Sequence, residues 1–122
     1  MSNITTGKDG ENTVKKFLEN KGHKVVEQNY NCLPFGEIDL ITSRGNVIYF
    51  VEVKTRKNDS FMNIVETVNK RKYNAMKRAC EIYIIKEKIP RKDYSFILSL
   101  VALNLETGNI DFYEDLTLNE SL

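Results

Sequence analysis

The 122 residues contain only two cysteines, two prolines and one histidine. Cys32 and Cys80 form no CxxC and no metal-ligand spacing. A thiolate metal centre and a disulfide framework are therefore not expected, and both thiols should be reduced in a cytoplasmic protein. The lone histidine, His23, reads as a surface or helix-end residue rather than a ligand. No apolar run comes near the roughly 20 residues that span a bilayer. No stretch near the N-terminus has signal-peptide character. A soluble protein with no membrane partner is the expectation. Repeats, low-complexity segments and linkers are also lacking, and the length suits one domain over 1–122. Nor is there a large net charge: the formal value is +1, which alone gives no reason to propose a nucleic-acid partner.

That near-neutral total conceals a segregation. Between Lys54 and Arg78 lie eight Lys or Arg and only two acids, Asp59 and Glu66. From Leu105 to Leu122 there are five acids and no Lys or Arg. A basic stretch attracts phosphate backbones at long range. The same run also suits an ordinary solvated helix face.

Hydrophobic periodicity predicts a helix over residues 6–20, with Val14, Phe17 and Leu18 on its apolar face. Thr6 and Asp9 resemble a weak capping box, and Gly22 is a stop signal. Gly7 and Gly10 are poor helix formers, so their place in the first turns suggests close approach by another group. Strands are predicted over 24–30, 37–43 and 47–55, with turn chemistry from Asn31 to Gly36. A polar loop over 56–63 leads to a second helix over 64–86, with Val65, Val68, Met76, Ala79, Cys80 and Tyr83 on one side. Pro90 breaks the pattern, and strands over 95–104 and 110–113 follow. Tyr73, Tyr83 and Tyr94 read as packing residues. This order predicts an α/β fold with one mixed central sheet flanked by helices.

The hairpin from Glu37 to Thr55 carries the chemistry. A two-residue turn at Gly45-Asn46 makes every facing pair sum to 91. Asp39 then faces Glu52, and Glu37 faces Lys54, unless a bulge intervenes. Facing β-carbons lie about 5 Å apart. Two carboxylates held that close need a cation, a shared proton or a nearby base. Around them this face is apolar, with Ile41, Phe50 and Ile48. Ile38, Leu40, Tyr49, Val51 and Val53 line the other. Magnesium suits the arrangement, since it takes one or two carboxylates plus waters and phosphate. Lys54, two residues from Glu52, projects from the same face and could orient the attacking water or neutralise the transition state. A plain cross-strand ion pair between Glu37 and Lys54 is the bland alternative. Glu11 stands three residues before Val14 and seven before Leu18, so it shares the sheet-facing stripe. It could serve as a further metal ligand or as a partner of the helix dipole.

These residues carry a resemblance. Gly36-Glu37-Ile38-Asp39-Leu40-Ile41 and Phe50-Val51-Glu52-Val53-Lys54-Thr55-Arg56, with Gly7-x-x-Gly10-Glu11, Asn29-Tyr30, Lys72 and Ala79, resemble the YraN-like family of small bacterial endonuclease-like proteins. That family in turn resembles the PD-(D/E)xK nucleases and the archaeal Holliday-junction resolvases. The resemblance implies a restriction-endonuclease-like αβββαβ core using Mg2+ or Mn2+. It matches Asp39, Glu52 and Lys54 to the D…ExK motif and Glu11 to the helix glutamate. Asp39, Glu52 and Glu11 become the implied metal ligands, and all four residues the implied catalytic set. Resolvase-like chemistry implies two sites, which a homodimer could supply. The match departs in the strand after the second helix, where the family's Arg-Phe-Asp run is absent from Ser95 to Val101.

Two functions follow. One is a metal-dependent endonuclease hydrolysing phosphodiester bonds in branched or otherwise structured DNA, with Arg56, Lys57, Lys70, Arg71 and Lys72 on the phosphate backbone. The other is a non-catalytic nucleic-acid-binding or protein-interaction module on the same scaffold, favoured by the missing Arg-Phe-Asp run and the near-neutral charge.

Overall fold

The computed structural model describes residues 7–57 and 68–118. Their order is α1 (Gly7–Asn20), β1 (Lys24–Asn31), β2 (Glu37–Arg44), β3 (Val47–Arg56), α2 (Lys70–Lys86), β4 (Ser95–Asn104), β5 (Ile110–Tyr113) and a 3-10 turn at Leu116–Leu118. Each strand lies within a residue of its predicted span. The second helix is observed from Lys70. Asn69 is its N-cap, in an extended conformation, and its side chain accepts the Lys72 amide at 2.9 Å. Val68 therefore precedes the helix. Thr6, the predicted loop over 58–63 and the helical stretch 64–67 with Val65 lie outside the described residues.

The strands form one mixed sheet in the order β1-β2-β3-β4-β5. All neighbours are antiparallel except β3 and β4, which run parallel along ten residue pairs from Val47–Ser95 to Arg56–Asn104. Parallel neighbours need a long crossover, and α2 lies within it. β3 is the middle strand, which explains its apolar run on both faces.

The helices cover opposite faces. Val14 and Leu18 of α1 pack on Leu40, Tyr49, Val51, Val101 and Leu103. Met76, Ala79, Cys80, Tyr83 and Ile84 of α2 pack on Ile41, Ile48, Phe50, Leu98 and Leu100. A 14-residue helix is marginal alone in water, so α1 owes its stability to this docking. Burying Val14 and Leu18 contributes about 1.5–3 kcal/mol each. Gly10 sets the docking distance. A β-carbon there would stand 2.9 Å from Cγ2 of Thr55, so only glycine lets the first turns of α1 lie against the end of β3.

Two expectations are corrected. His23 does stand at the end of α1, but it is buried rather than on the surface. Its ring sits 4.4 Å from that of Tyr49 and 6.0 Å from that of Phe112, and Nδ1 bonds Thr42 Oγ1 at 2.8 Å. The chain turns inward at Gly22, and the short way to β1 carries the ring under the sheet. Ile38 is the second. It packs in the α2-side cluster, whereas Leu40, two residues on, packs on the α1 side. Simple alternation fails between them, and the break falls at Asp39.

Candidate active site

The predicted hairpin register holds from the turn outward. Gly45 has φ 61, as a two-residue hairpin turn demands, and Arg44–Val47 through Leu40–Val51 are paired as expected. The ladder ends there. Asp39–Glu52 and Glu37–Lys54, which the same register would bring opposite, are not among its pairs. In place of the next backbone rung, the Val53 amide donates to Oδ2 of Asp39 at 2.8 Å. β1 shows the cause. Gln28 pairs with Leu40 and Tyr30 with Ile38, so Asn29 stands across from Asp39. Asn29 has φ 49, in the left-handed region that asparagine tolerates better than most residues. This twist turns Tyr30 and Ile38 together toward the α2 side and frees the Asp39 carboxylate to cross toward β3.

Glu52 is held by the other half of the sheet, where it pairs with Leu100 of β4. Its carboxylate meets Nζ of Lys72, on the first turn of α2, at 3.3 Å. The Glu52 side chain is 14% exposed and that of Lys72 42%, so the ion pair sits at the rim of the core. Glu52 and Lys72 also line a pocket with Phe35, Ile38 and Met76. Lys72, assigned from sequence to the nucleic-acid surface, is thus a direct partner of a site carboxylate.

Electrostatics tie these groups together. Burial pushes the Asp39 carboxyl above its ordinary range; the Val53 amide and then the charges of Lys72 and Lys54 offset part of this, while Glu37 adds to it. Burial likewise raises Glu52, as does the charge of Asp39, against the lowering influence of Lys72 and Lys54. Glu11 is raised by burial and then by Asp39, and a hydrogen bond from the Asn29 side chain lowers it. A charged hydrogen bond stabilises by about 1.5–3 kcal/mol, whereas desolvating a carboxylate costs several. The imbalance explains why all three acids move up. They form an under-neutralised cluster at the open end of β2 and β3, near exposed Lys54.

The remaining predicted contacts are dispersed. Lys70 and Arg71 are exposed at the start of α2, and Lys57 is exposed just past β3. Arg56 is half-buried at the end of β3, with a buried Nε that has no hydrogen-bond partner among the described residues. Sequence reasoning did not give Asn29 a role in the site, although Asn29-Tyr30 stood out in the motif. Among the described residues, no three His, Cys, Asp or Glu side chains are arranged to hold an ion by themselves. None of the helices among them is long and apolar enough to cross a membrane.

A family model described as Uncharacterised protein family UPF0102 matches residues 10–111, a span that includes Glu11, Asn29, Asp39, Glu52, Lys54 and Lys72. The chain belongs to this family. A UPF0102 protein of Dictyoglomus turgidum is 41% identical over 104 residues, covering 85% of this chain and 87% of its own length. One from Clostridium novyi is 36% identical over 115 residues, covering 93% and 95%. Another, from Clostridium botulinum, is 34% identical over 110 residues, covering 90% and 88%. The match to UPF0102 thus spans β1 to β4, α2 and most of α1.

Proposed function

We propose that this UPF0102 protein is a metal-dependent endonuclease acting on DNA, with branched or structured DNA as its substrate and a restriction-endonuclease-like core as its scaffold. The observation that carries this reading is the pair of desolvated, mutually repelling carboxylates, Asp39 and Glu52, flanked by Lys54 and Lys72. The order of α1, β1, β2, β3, α2 and β4 supports the scaffold, because it follows the αβββαβ sequence the resemblance implies.

The donor set fits Mg2+ or Mn2+. It consists of hard carboxylate oxygens whose raised proton affinity a divalent cation would relieve, and magnesium needs only one or two of them beside water and phosphate. Asp39 and Glu52 would hold the ion; Glu11 acts on them through its charge and does not complete a three-carboxylate site. When bound, such an ion acidifies water and offsets charge at phosphorus. The chain's own groups do the rest. Lys54 donates to the attacking water or to a phosphate oxygen. The Val53 amide orients Asp39 by fixing Oδ2. Lys72 holds Glu52 in place through its ammonium.

Incubating branched DNA with Mg2+ or Mn2+ tests the reading. Wild type should cleave, and Glu52→Ala and Lys54→Ala should each lose at least about a hundredfold in rate. Equal cleavage by wild type and Glu52→Ala, or none by wild type, sinks the proposal.

One observation favours a second reading, a non-catalytic DNA-binding or protein-interaction module. Lys72 already neutralises Glu52 from within the chain. On this reading DNA binding survives Asp39→Asn, and calorimetric titration with Mn2+ gives no heat. A homodimer would suit the first reading, since resolving a branch takes two cuts.

A further inference from the structure

His23 is the chain's only histidine, and the proposed chemistry does not use it. It is 4% exposed, with its ring against those of Tyr49 and Phe112. Nδ1 has the Thr42 hydroxyl as its partner. Nε2 is buried too and has no hydrogen-bond partner among the described residues. A neutral ring suits this niche: with its proton on Nδ1, Nε2 is left as a bare acceptor. A second proton would place a charged N–H where no acceptor stands, and burying such a group unpaired is strongly unfavourable.

The surrounding charges give little relief. Facing the ring are Lys21 at the end of α1, Arg44 of β2 and Glu114 beyond β5, and Tyr49 of β3 is the titratable group it stacks on. Glu114 already answers Arg44 and the Tyr49 hydroxyl. Lys24, next along β1, is exposed. Burial, and then the Arg44 charge, hold the ring below the ordinary histidine value of 6.5; Glu114 offsets part of this and Lys21 adds to it. His23 also ends α1. Its amide donates to the Leu18 carbonyl at 3.0 Å, across Gly22 with φ 92. Leu18 in turn helps dock α1 on the sheet. A strand leaves a sheet only by breaking its ladder, whereas α1 is held by side chains, through packing and ties such as Lys15 to Gln28 at 3.2 Å. The corner at His23 is therefore where water enters most easily.

We propose that His23 is an acid-sensitive latch: protonation of its ring opens the corner between α1 and β1 and releases α1 from the sheet. Glu11, on α1, leaves the neighbourhood of Asp39 with it. The latch belongs to the fold and stands or falls independently of DNA cleavage. The opened state binds a proton that the docked state refuses. Docking is thus at full strength above pH 6.5 and weakens as the pH falls below it.

Hydrogen exchange at pH 7.5 and 5.5, corrected for intrinsic rates, tests this. Opening at the Leu18 and His23 amides should become about tenfold more frequent at the lower pH, while β3 and β4 keep their protection. His23→Gln retains a partner for Thr42, and His23→Phe retains the ring stack; each should abolish the response. A single histidine also makes the ring resonances unambiguous in the wild type, so the latch is testable even if both variants fold poorly. A ring that takes up its proton near pH 6.5 with α1 still protected overturns the latch. So does an equal loss of protection across β3 and β4, or an unchanged pH response in a folded variant.

Discussion

Asp39 does two jobs that conflict. Its Oδ2 replaces a backbone carbonyl in the ladder by accepting the Val53 amide, which favours the ionised form. Its burial and the nearby acids favour the protonated form, and burial dominates. A carboxyl whose pKa is raised on folding stabilises the fold fully below its unfolded value. That contribution is lost as the pH rises through the folded value. At neutral pH the charge on Asp39 therefore opposes folding. Asp39→Asn keeps an acceptor for Val53 and removes the charge. It should raise stability by about 1 kcal/mol at pH 7, with the gain shrinking toward pH 4, while abolishing cleavage. Urea titrations at the two pH values check this, and a loss of stability at pH 7 would contradict the burial argument. Glu52 carries the same conflict, softened by Lys72. Lys72 reached the acid from sixteen residues beyond Arg56 in a helix whose position no local pattern specifies, and for that reason it read as a surface cation.

At the scale of elements, the site depends on where α1 and β2 end up against β3. Gly10 is the contact that decides the first. An alanine there favours the isolated helix by about 1 kcal/mol. In the folded protein its β-carbon meets Thr55 Cγ2 at 2.9 Å, on a strand that cannot retreat because β4 flanks it. Gly10→Ala should therefore destabilise by about 1–2 kcal/mol despite its better propensity. Combining it with Thr55→Ser, which can leave the crowded position open, should recover most of the loss. Thermal melts of the single and double variants give the answer, and a stabilised single variant would mean α1 docks more loosely than described. The Gly7 and Gly10 anomaly was visible in the first turns. Its resolution, a side chain on a strand 45 residues away, needed the packed helix. Strand spans were legible for a simpler reason: alternation and turn residues are local signals, and they placed β4 and β5 without error.

Over the whole molecule, charge is arranged along the sheet. The acidic C-terminal stretch serves partly as structure. Glu114 pairs with Arg44 at 3.8 Å and bonds the Tyr49 hydroxyl, at the turn end of the hairpin. Asp39 and Glu52 lie at the other end, where the cations of α2 gather. If the acids hold a divalent ion in the folded state only, saturating Mn2+ should raise the melting temperature of wild type by several degrees. The shift should vanish in an Asp39→Asn, Glu52→Gln double variant. An equal shift in both would place the ion elsewhere.

Composition, periodicity and one two-residue turn were enough to determine the order of elements, the hairpin register near its loop and the residues worth watching, because each of these depends on neighbours close in the chain. Three features were left to the tertiary structure: the parallel seam between β3 and β4, the slip at Asp39 that moves Ile38 across the sheet, and the arrival of Lys72 beside Glu52. All three depend on distant segments competing for the same space and the same hydrogen bonds, and that competition is settled only when the whole sheet and its helices close together.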